Sequence, residues 1–306
     1  MEPAWHVWVT KFQNSAKVLQ MAVRDVVRSV FLCDMSAFDS YMPKEKNISF
    51  LFQWAVSRAL CTVPACKSFP RDEITDEMSC RPMCGNYPFN IIEHTCNTYS
   101  HVVIKEVRFF DLKVLYPLLT DPSLNVKILH LVRDPRAVAK SREQLNLTKD
   151  NGIVLNTNGT EVDDSKFKVI QEICRSQVKI YEMAAFKAPS FLKNRYMLVR
   201  YEDVVRDPVR EISKMYTFVE LKLTHKLEKW IYNITHGQSL GEKKEAFTIT
   251  SRNAVHVSQA WRNVLPFNKV KMIQDICEGA MNVFRYQLVN SEAEQKDLNV
   301  DVVLPR

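Results

Sequence analysis

Glycine is scarce in this chain, with 6 in 306 residues. That scarcity leaves no Walker-type phosphate loop, and no kinase signature set is present either, which excludes the common phosphoryl-transfer machineries. The stretch GQSLGEKK at 237–244 does not follow an apolar strand as a phosphate loop would, and reads as a lid. Long apolar runs are also missing: the most hydrophobic helical window, 15–33, is broken by Lys17, Arg24, Asp25 and Arg28 and cannot span a bilayer. The N-terminus does not resemble a signal peptide. No basic run or known binding module occurs, so nucleic acid is not an expected partner. No internal repeat is visible, and no firm domain boundary.

Hydrophobic residues make up 46% and charged residues 25% of the chain, an ordinary globular balance with enough apolar material for one large or two modest cores. The net charge is 42 − 35 = +7, which suits an anionic ligand without naming one. Eight cysteines are present: Cys33, Cys61, Cys66, Cys80, Cys84, Cys96, Cys174 and Cys277. Five of them crowd into 61–96, as in a stapled, irregular subdomain. The competing account is zinc, but C-x4-C followed by C-x3-C is loose for a zinc site and only His94 lies near; no metal is expected. Four glycosylation sequons begin at Asn47, Asn146, Asn158 and Asn233. Together with the cysteines they favour a secretory lumen, so a targeting segment is expected upstream of Met1.

Val23, Val26, Val27, Val30 and Phe31 recur at helical spacing, which predicts an amphipathic helix over 14–32. HVVIKEV (101–107), VKILHLV (126–132) and YMLVRY (196–201) read as buried strands. Helical patterns cover 167–186, 208–219 and 268–284, and the mixed stretch 151–166 reads as a loop. Strands separated by helices spell an α/β fold with a parallel sheet, whose ligands bind where strands turn into helices.

LVRDPRAVAKSRE (131–143) sits at such a turn. Asp134 is a good N-cap and Pro135 a good first helical residue, so Arg-Asp-Pro explains itself as helix-start chemistry. The tripeptide recurs as Arg206-Asp207-Pro208, which shows that it is at least partly structural. What differs is the residue eight places after the arginine: Ser141 in the first copy, Lys214 in the second. A helix N-terminus, an arginine at the strand end and a hydroxyl about two turns along can hold a phosphate; a capped helix with surface arginines is the alternative.

A strand, Arg-Asp-Pro-Arg, then Ser eight residues on resembles the 3′-phosphate-binding element of sulfotransferases that use 3′-phosphoadenosine 5′-phosphosulfate (PAPS). EPAWHVW at 2–8, AVRDVVRSVFLCDMSAFD at 22–39, SRALC at 57–61, HVVIKEVRFFDL at 101–112, YPLLTDPSLN at 116–125, LVRYEDV at 198–204 and SQAWR at 258–262 extend the likeness. Together they resemble Golgi carbohydrate 6-O-sulfotransferases, and within them the N-acetylglucosamine branch.

The resemblance implies a P-loop-like sulfotransferase fold: a single domain over 1–306 with a central parallel sheet flanked by helices and a Cys-rich irregular insertion at about 61–96. It implies transfer of a sulfuryl group from PAPS to the 6-hydroxyl of N-acetylglucosamine in keratan-type or mucin-type glycans, in the Golgi lumen. Arg133 and Ser141 would hold the 3′-phosphate, with Asp134, Pro135, Arg136, Ala137, Val138, Ala139 and Lys140 shaping the site. Glu2 is the first candidate for the catalytic base and His6 the second. Trp5 would pack on a sugar, and Lys105 and Arg108 would contact phosphosulfate or acceptor. Exposed strand-end charge is the plainer reading of that last pair, as core or rim packing is for the tryptophan.

Relatives carry an Arg-Ser-Gly-Ser-Ser-type loop, a first strand, a stem and a membrane anchor just upstream of EPAWHVW. The chain as written lacks them, so the expectation is an N-terminally truncated sulfotransferase of little activity, attached to a membrane only through the missing anchor. A non-catalytic nucleotide- or glycan-binding remnant is the alternative. Oligomeric state is open, a homo-oligomer included.

Overall fold

The computed structural model describes residues 16–39, 58–75, 77–107, 109–145, 147–155, 165–238 and 251–306. They fall into two compact units, one comprising 1–109 with 121–124 and the other 110–120 with 125–306.

In the first unit, helix α1 (Ala16–Phe31) occupies the predicted amphipathic stretch. Val26, Val27 and Val30 turn inward while Arg28 reaches Asp121 at 2.7 Å. The cysteine-rich stretch forms two short helices, α2 (Glu77–Cys84) and α3 (Ile91–Cys96), joined by turns. Three disulfides tie it together: Cys33–Cys96, Cys61–Cys80 and Cys66–Cys84. They surround a small core of Met35, Phe38, Leu60, Phe89 and Ile92. So few large apolar side chains make a modest core, and cross-links of this kind restrict the unfolded chain where burial is limited. The zinc alternative gives way, because every cysteine is in a disulfide.

One expected strand is absent. Residues 101–106 carry no regular secondary structure, and Val103 and Val107 are exposed. β-branched composition favours an extended chain, but a strand exists only where a neighbour completes its backbone hydrogen bonds, and no ladder partner is present among the described residues.

The second unit is α/β. After helix α4 (Tyr116–Leu119), strand β1 (Ile128–Val132) leads into α5 (Pro135–Gln144), α6 (Thr148–Leu155) and the long α7 (Ser165–Ala185). The chain returns as β2 (Tyr196–Arg200), parallel to β1 with Val132 opposite Arg200. There follow α8 (Tyr201–Arg206), α9 (Pro208–Phe218), α10 (His225–Thr235), α11 (Ala254–Gln259), α12 (Trp261–Val264), α13 (Phe267–Phe284) and α14 (Glu292–Lys296).

Helix α7 packs along α13 through Ile170, Cys174, Val178 and Tyr181, the face its periodicity predicts, and Cys174–Cys277 clamps the pair. Val132, Trp261, Ile273, Met281 and Phe284 fill the shared core, which seats the end of β1 and the start of α5 on a rigid base. The expected loop at 151–166 is corrected in its first part, since 151–155 close α6; the buried Val154 and a 2.8 Å bond from Arg142 Nη2 to Asn151 Oδ1 hold that turn. Residues 156–164 lie outside the described residues, as do 239–244 of the expected lid. At its start, Gly237 faces Ser251 and Arg252 so closely that a Cβ there would collide with Ser251 Oγ. No described helix is long and apolar enough to cross a membrane.

Candidate phosphate-binding turn

The turn after β1 is built by Asp134. Its carboxylate accepts from the backbone N–H of Arg136 at 2.9 Å, capping α5, and Pro135 supplies a fixed φ at the first helical position. The same carboxylate takes the Arg136 guanidinium through Nε at 3.0 Å and Nη2 at 2.8 Å. Arg136 also donates from Nη1 to Gln274 Oε1 at 2.9 Å and to the carbonyl of Gln287 at 3.0 Å, and lies 4.1 Å from the centre of the Trp261 ring. Asp134 and Arg136 are both fully buried. Two adjacent guanidinium groups in one turn thus divide the work: Arg136 faces inward and binds the turn to α13.

Arg133 faces the other way. It is half-buried, its guanidinium lies 4.5 Å from the centre of the Tyr201 ring, and its one hydrogen bond among the described residues, to the carbonyl of Val257, is long at 3.5 Å. Its Nε is buried with no partner among the described residues. A desolvated donor of this kind is costly unless something accepts from it, and a charged one more so. Lys140, one turn into α5 and half-buried, adds a second cation: burial, then the positive charge of Arg133, hold its pKa below the usual value. No carboxylate among the described residues pairs with either. Two neighbouring cations, an unfilled donor and a helix N-terminus together make a site for an anion with several oxygens.

Ser141 follows Lys140 on α5, half-buried, its hydroxyl without a hydrogen-bond partner among the described residues. Ala137 and Ala139 are buried in the core and Val138 packs against it, so their side chains shape the helix rather than meet a ligand.

Beneath the turn, Glu202 Oε1 accepts from the backbone N–H of Asp134 at 3.0 Å, and Tyr286 donates its hydroxyl to Glu202 Oε2 at 2.7 Å. Burial and the adjacent Asp134 charge push the Glu202 pKa up. Tyr201, Glu202, Val257 and Tyr286 escape a reading of local sequence; the signal that could have found the first two is that they begin the helix after the neighbouring parallel strand.

Lys105 is exposed in the first unit, in the segment that forms no strand. Glu2, Trp5, His6, Arg108, Asn47, Asn146 and Asn158 lie outside the described residues. Asn233 is exposed near the end of α10. A recess of about 760 Å³ is lined by Met197, Asp207, Arg210, Lys214, Phe218 and Glu228 among others and includes no residue of the turn. Its walls neutralise themselves, Arg210 pairing with Asp207 and Lys214 with Glu211.

A family profile described as a sulfotransferase domain matches residues 12–285. The chain belongs to the sulfotransferase family. Relatives agree: carbohydrate sulfotransferase 6 of Homo sapiens is 58% identical over 309 residues, covering 100% of this chain and 78% of that protein. Carbohydrate sulfotransferase 5 of Mus musculus is 57% identical with the same coverage, and carbohydrate sulfotransferase 2 of Homo sapiens 34% over 331 residues, 97% of this chain and 62% of that one. No solved structure matches. As a member of this family the sulfotransferase is a transferase with PAPS as its sulfuryl donor. The turn fits that donor, because PAPS carries a 3′-phosphate whose oxygens suit the unpartnered Arg133 Nε and the adjoining Lys140.

Proposed function

We propose that this sulfotransferase transfers a sulfuryl group from PAPS to the 6-hydroxyl of N-acetylglucosamine in glycans of keratan or mucin type, with Arg133, Lys140 and Ser141 holding the donor's 3′-phosphate. The observation that carries the reading is the half-buried Arg133, whose Nε has no partner among the described residues and whose neighbour Lys140, more than a turn into α5, is a second cation unpaired among them. Likeness to carbohydrate sulfotransferases supports a sugar acceptor.

Bound PAPS supplies the activated sulfuryl group. The protein's own part is to fix that donor and take a proton from the acceptor oxygen as the new S–O bond forms and the bond to the 5′-phosphate breaks. Arg133 and Lys140 hold the far end of the nucleotide by charge, and Ser141 donates a hydroxyl. Glu2 is assigned as the base that accepts the sugar proton, with His6 as second choice, and Lys105, Arg108 and Trp5 as acceptor-side contacts. The four disulfides support an oxidising compartment, here the Golgi lumen, and Asn47, Asn146, Asn158 and Asn233 are assigned as glycan-bearing there.

Two measurements test this. Calorimetry with adenosine 3′,5′-bisphosphate should show a loss of roughly 100-fold in affinity for Arg133→Ala, as expected for a charge-assisted contact; equal affinities remove Arg133 from the site. Sulfate transfer from PAPS should label oligosaccharides ending in N-acetylglucosamine and spare those ending in galactose; the reverse preference overturns the acceptor.

A further inference from the structure

The reaction as described makes no use of Tyr201 and Glu202, yet both lie against the phosphate-binding turn. In the parallel ladder Val132 stands opposite Arg200. Beyond that rung the backbone pairing ends, and side chains carry the register on. Arg133 lies over the ring of Tyr201, and the N–H of Asp134 donates to the carboxylate of Glu202. Each residue of the turn thus meets its numerical counterpart after β2, so the sheet's register fixes which side chains can support the site.

We propose that Tyr201 and Glu202 are positioning residues that aim Arg133 at the donor's 3′-phosphate; the inference rests on the reading that Arg133 binds that phosphate. An arginine side chain has many rotamers, and any that are lost on binding weaken affinity. The Tyr201 ring removes that freedom in advance by lying against the guanidinium, while Arg133 Nε, without a partner among the described residues, remains for an anion. The single long hydrogen bond to Val257 could not do this alone. Glu202 acts one residue further on. Held from the other side by Tyr286, it satisfies the buried N–H of Asp134, fixing the backbone from which Arg133 projects.

The test is a double-mutant cycle in the full-length protein, read as affinity for adenosine 3′,5′-bisphosphate and for adenosine 5′-phosphosulfate, which lacks the 3′-phosphate. Tyr201→Leu should weaken the bisphosphate about tenfold and leave the phosphosulfate unchanged, while Tyr201→Phe, which keeps the ring, should stay within about twofold of wild type. In an Arg133→Ala background Tyr201→Leu should have no further effect. Glu202→Gln, retaining a carbonyl acceptor, should bind nearly as wild type, and Glu202→Leu should reproduce the loss. The cycle on the half-buried Tyr201 decides the matter even where Glu202→Leu does not fold. A loss by the same factor in both backgrounds, or an equal loss for both nucleotides, overturns the positioning role while leaving Arg133 in place. Wild-type affinity in Arg133→Ala alone overturns the site reading beneath it.

Discussion

Arg133-Asp134-Pro135 and Arg206-Asp207-Pro208 share three residues and the start of a helix, and then part company. In both, the aspartate caps: Asp134 accepts from the N–H of Arg136 at 2.9 Å, Asp207 from that of Arg210 at 3.3 Å. The first turn follows a strand, which is less buried than the sequence predicts because Leu129 and Leu131 are exposed and only Val132 is buried; the second follows a short helix. Arg206 is spent on the C-terminal segment, pairing with Asp301 and donating to the carbonyl of Val303 at 3.1 Å, whereas Arg133 keeps a buried donor unfilled among the described residues. Eight residues on, Lys214 pairs with Glu211 at 2.6 Å, while Ser141 keeps its hydroxyl unbonded among the described residues. The lesson is that a capping motif becomes a binding motif only when the fold supplies no internal partner for its arginine.

The largest effect expected lies within the first turn. Arg136→Met strands the buried Asp134 and should cost about 3–5 kcal/mol in denaturant unfolding, whereas Arg210→Met, one place further along the second turn where the pair with Asp207 is exposed, should cost under about 1 kcal/mol. Similar losses would erase the division between inward and outward arginines. Next comes the ligand. Arg206→Ala should leave adenosine 3′,5′-bisphosphate affinity unchanged against the roughly 100-fold loss in Arg133→Ala, and a matching loss would make the second turn a binding site too.

The caps separate less. Asp207→Ala should cost about 1 kcal/mol, an ordinary N-cap, and Asp134→Ala at least about twice that because Arg136 also loses its partner; equal costs in thermal unfolding would show that the Arg136 pair contributes nothing.

The smallest effect is a pH dependence confined to the first turn. The Glu202 pKa is raised above its ordinary 4.5 by burial and then by Asp134, so the folded state holds that proton more tightly than the unfolded chain. Its contribution is fully present below about 4.5 and is lost as pH rises through the folded value. Wild-type stability should therefore fall relative to Glu202→Gln between that pH and neutrality. A constant difference would mean that Glu202 ionises freely. Asp207, whose N–H donates to the backbone carbonyl of Asp203 instead, has no such carboxylate beneath it.

Much of this was legible in advance where the information is local. The spacing of Val23, Val26, Val27 and Val30 declares α1, and that of Ile170, Cys174, Val178 and Tyr181 declares α7, because burial on one helical face needs a 3.6-residue repeat. Asp and Pro at 134–135 announce a helix start whatever follows. The segment 101–107 shows the limit: its valines and isoleucine favour extension, but pairing depends on a partner that no local pattern names. The partition of Arg133 from Arg136 was equally hidden, for the two differ only in what surrounds them.

By itself the sequence determined the helix faces, the two capped turns, the stock of cysteines available for pairing and, through its motifs, the family. Tertiary structure alone decided which cysteines join, which arginine turns inward, and that Tyr201 and Glu202 meet Arg133 and Asp134. Those outcomes depend on strand register and on helices more than a hundred residues away, such as α13 behind Arg136. Periodicity records what one element needs to bury; the identity of what lies against it is set only when the chain closes on itself.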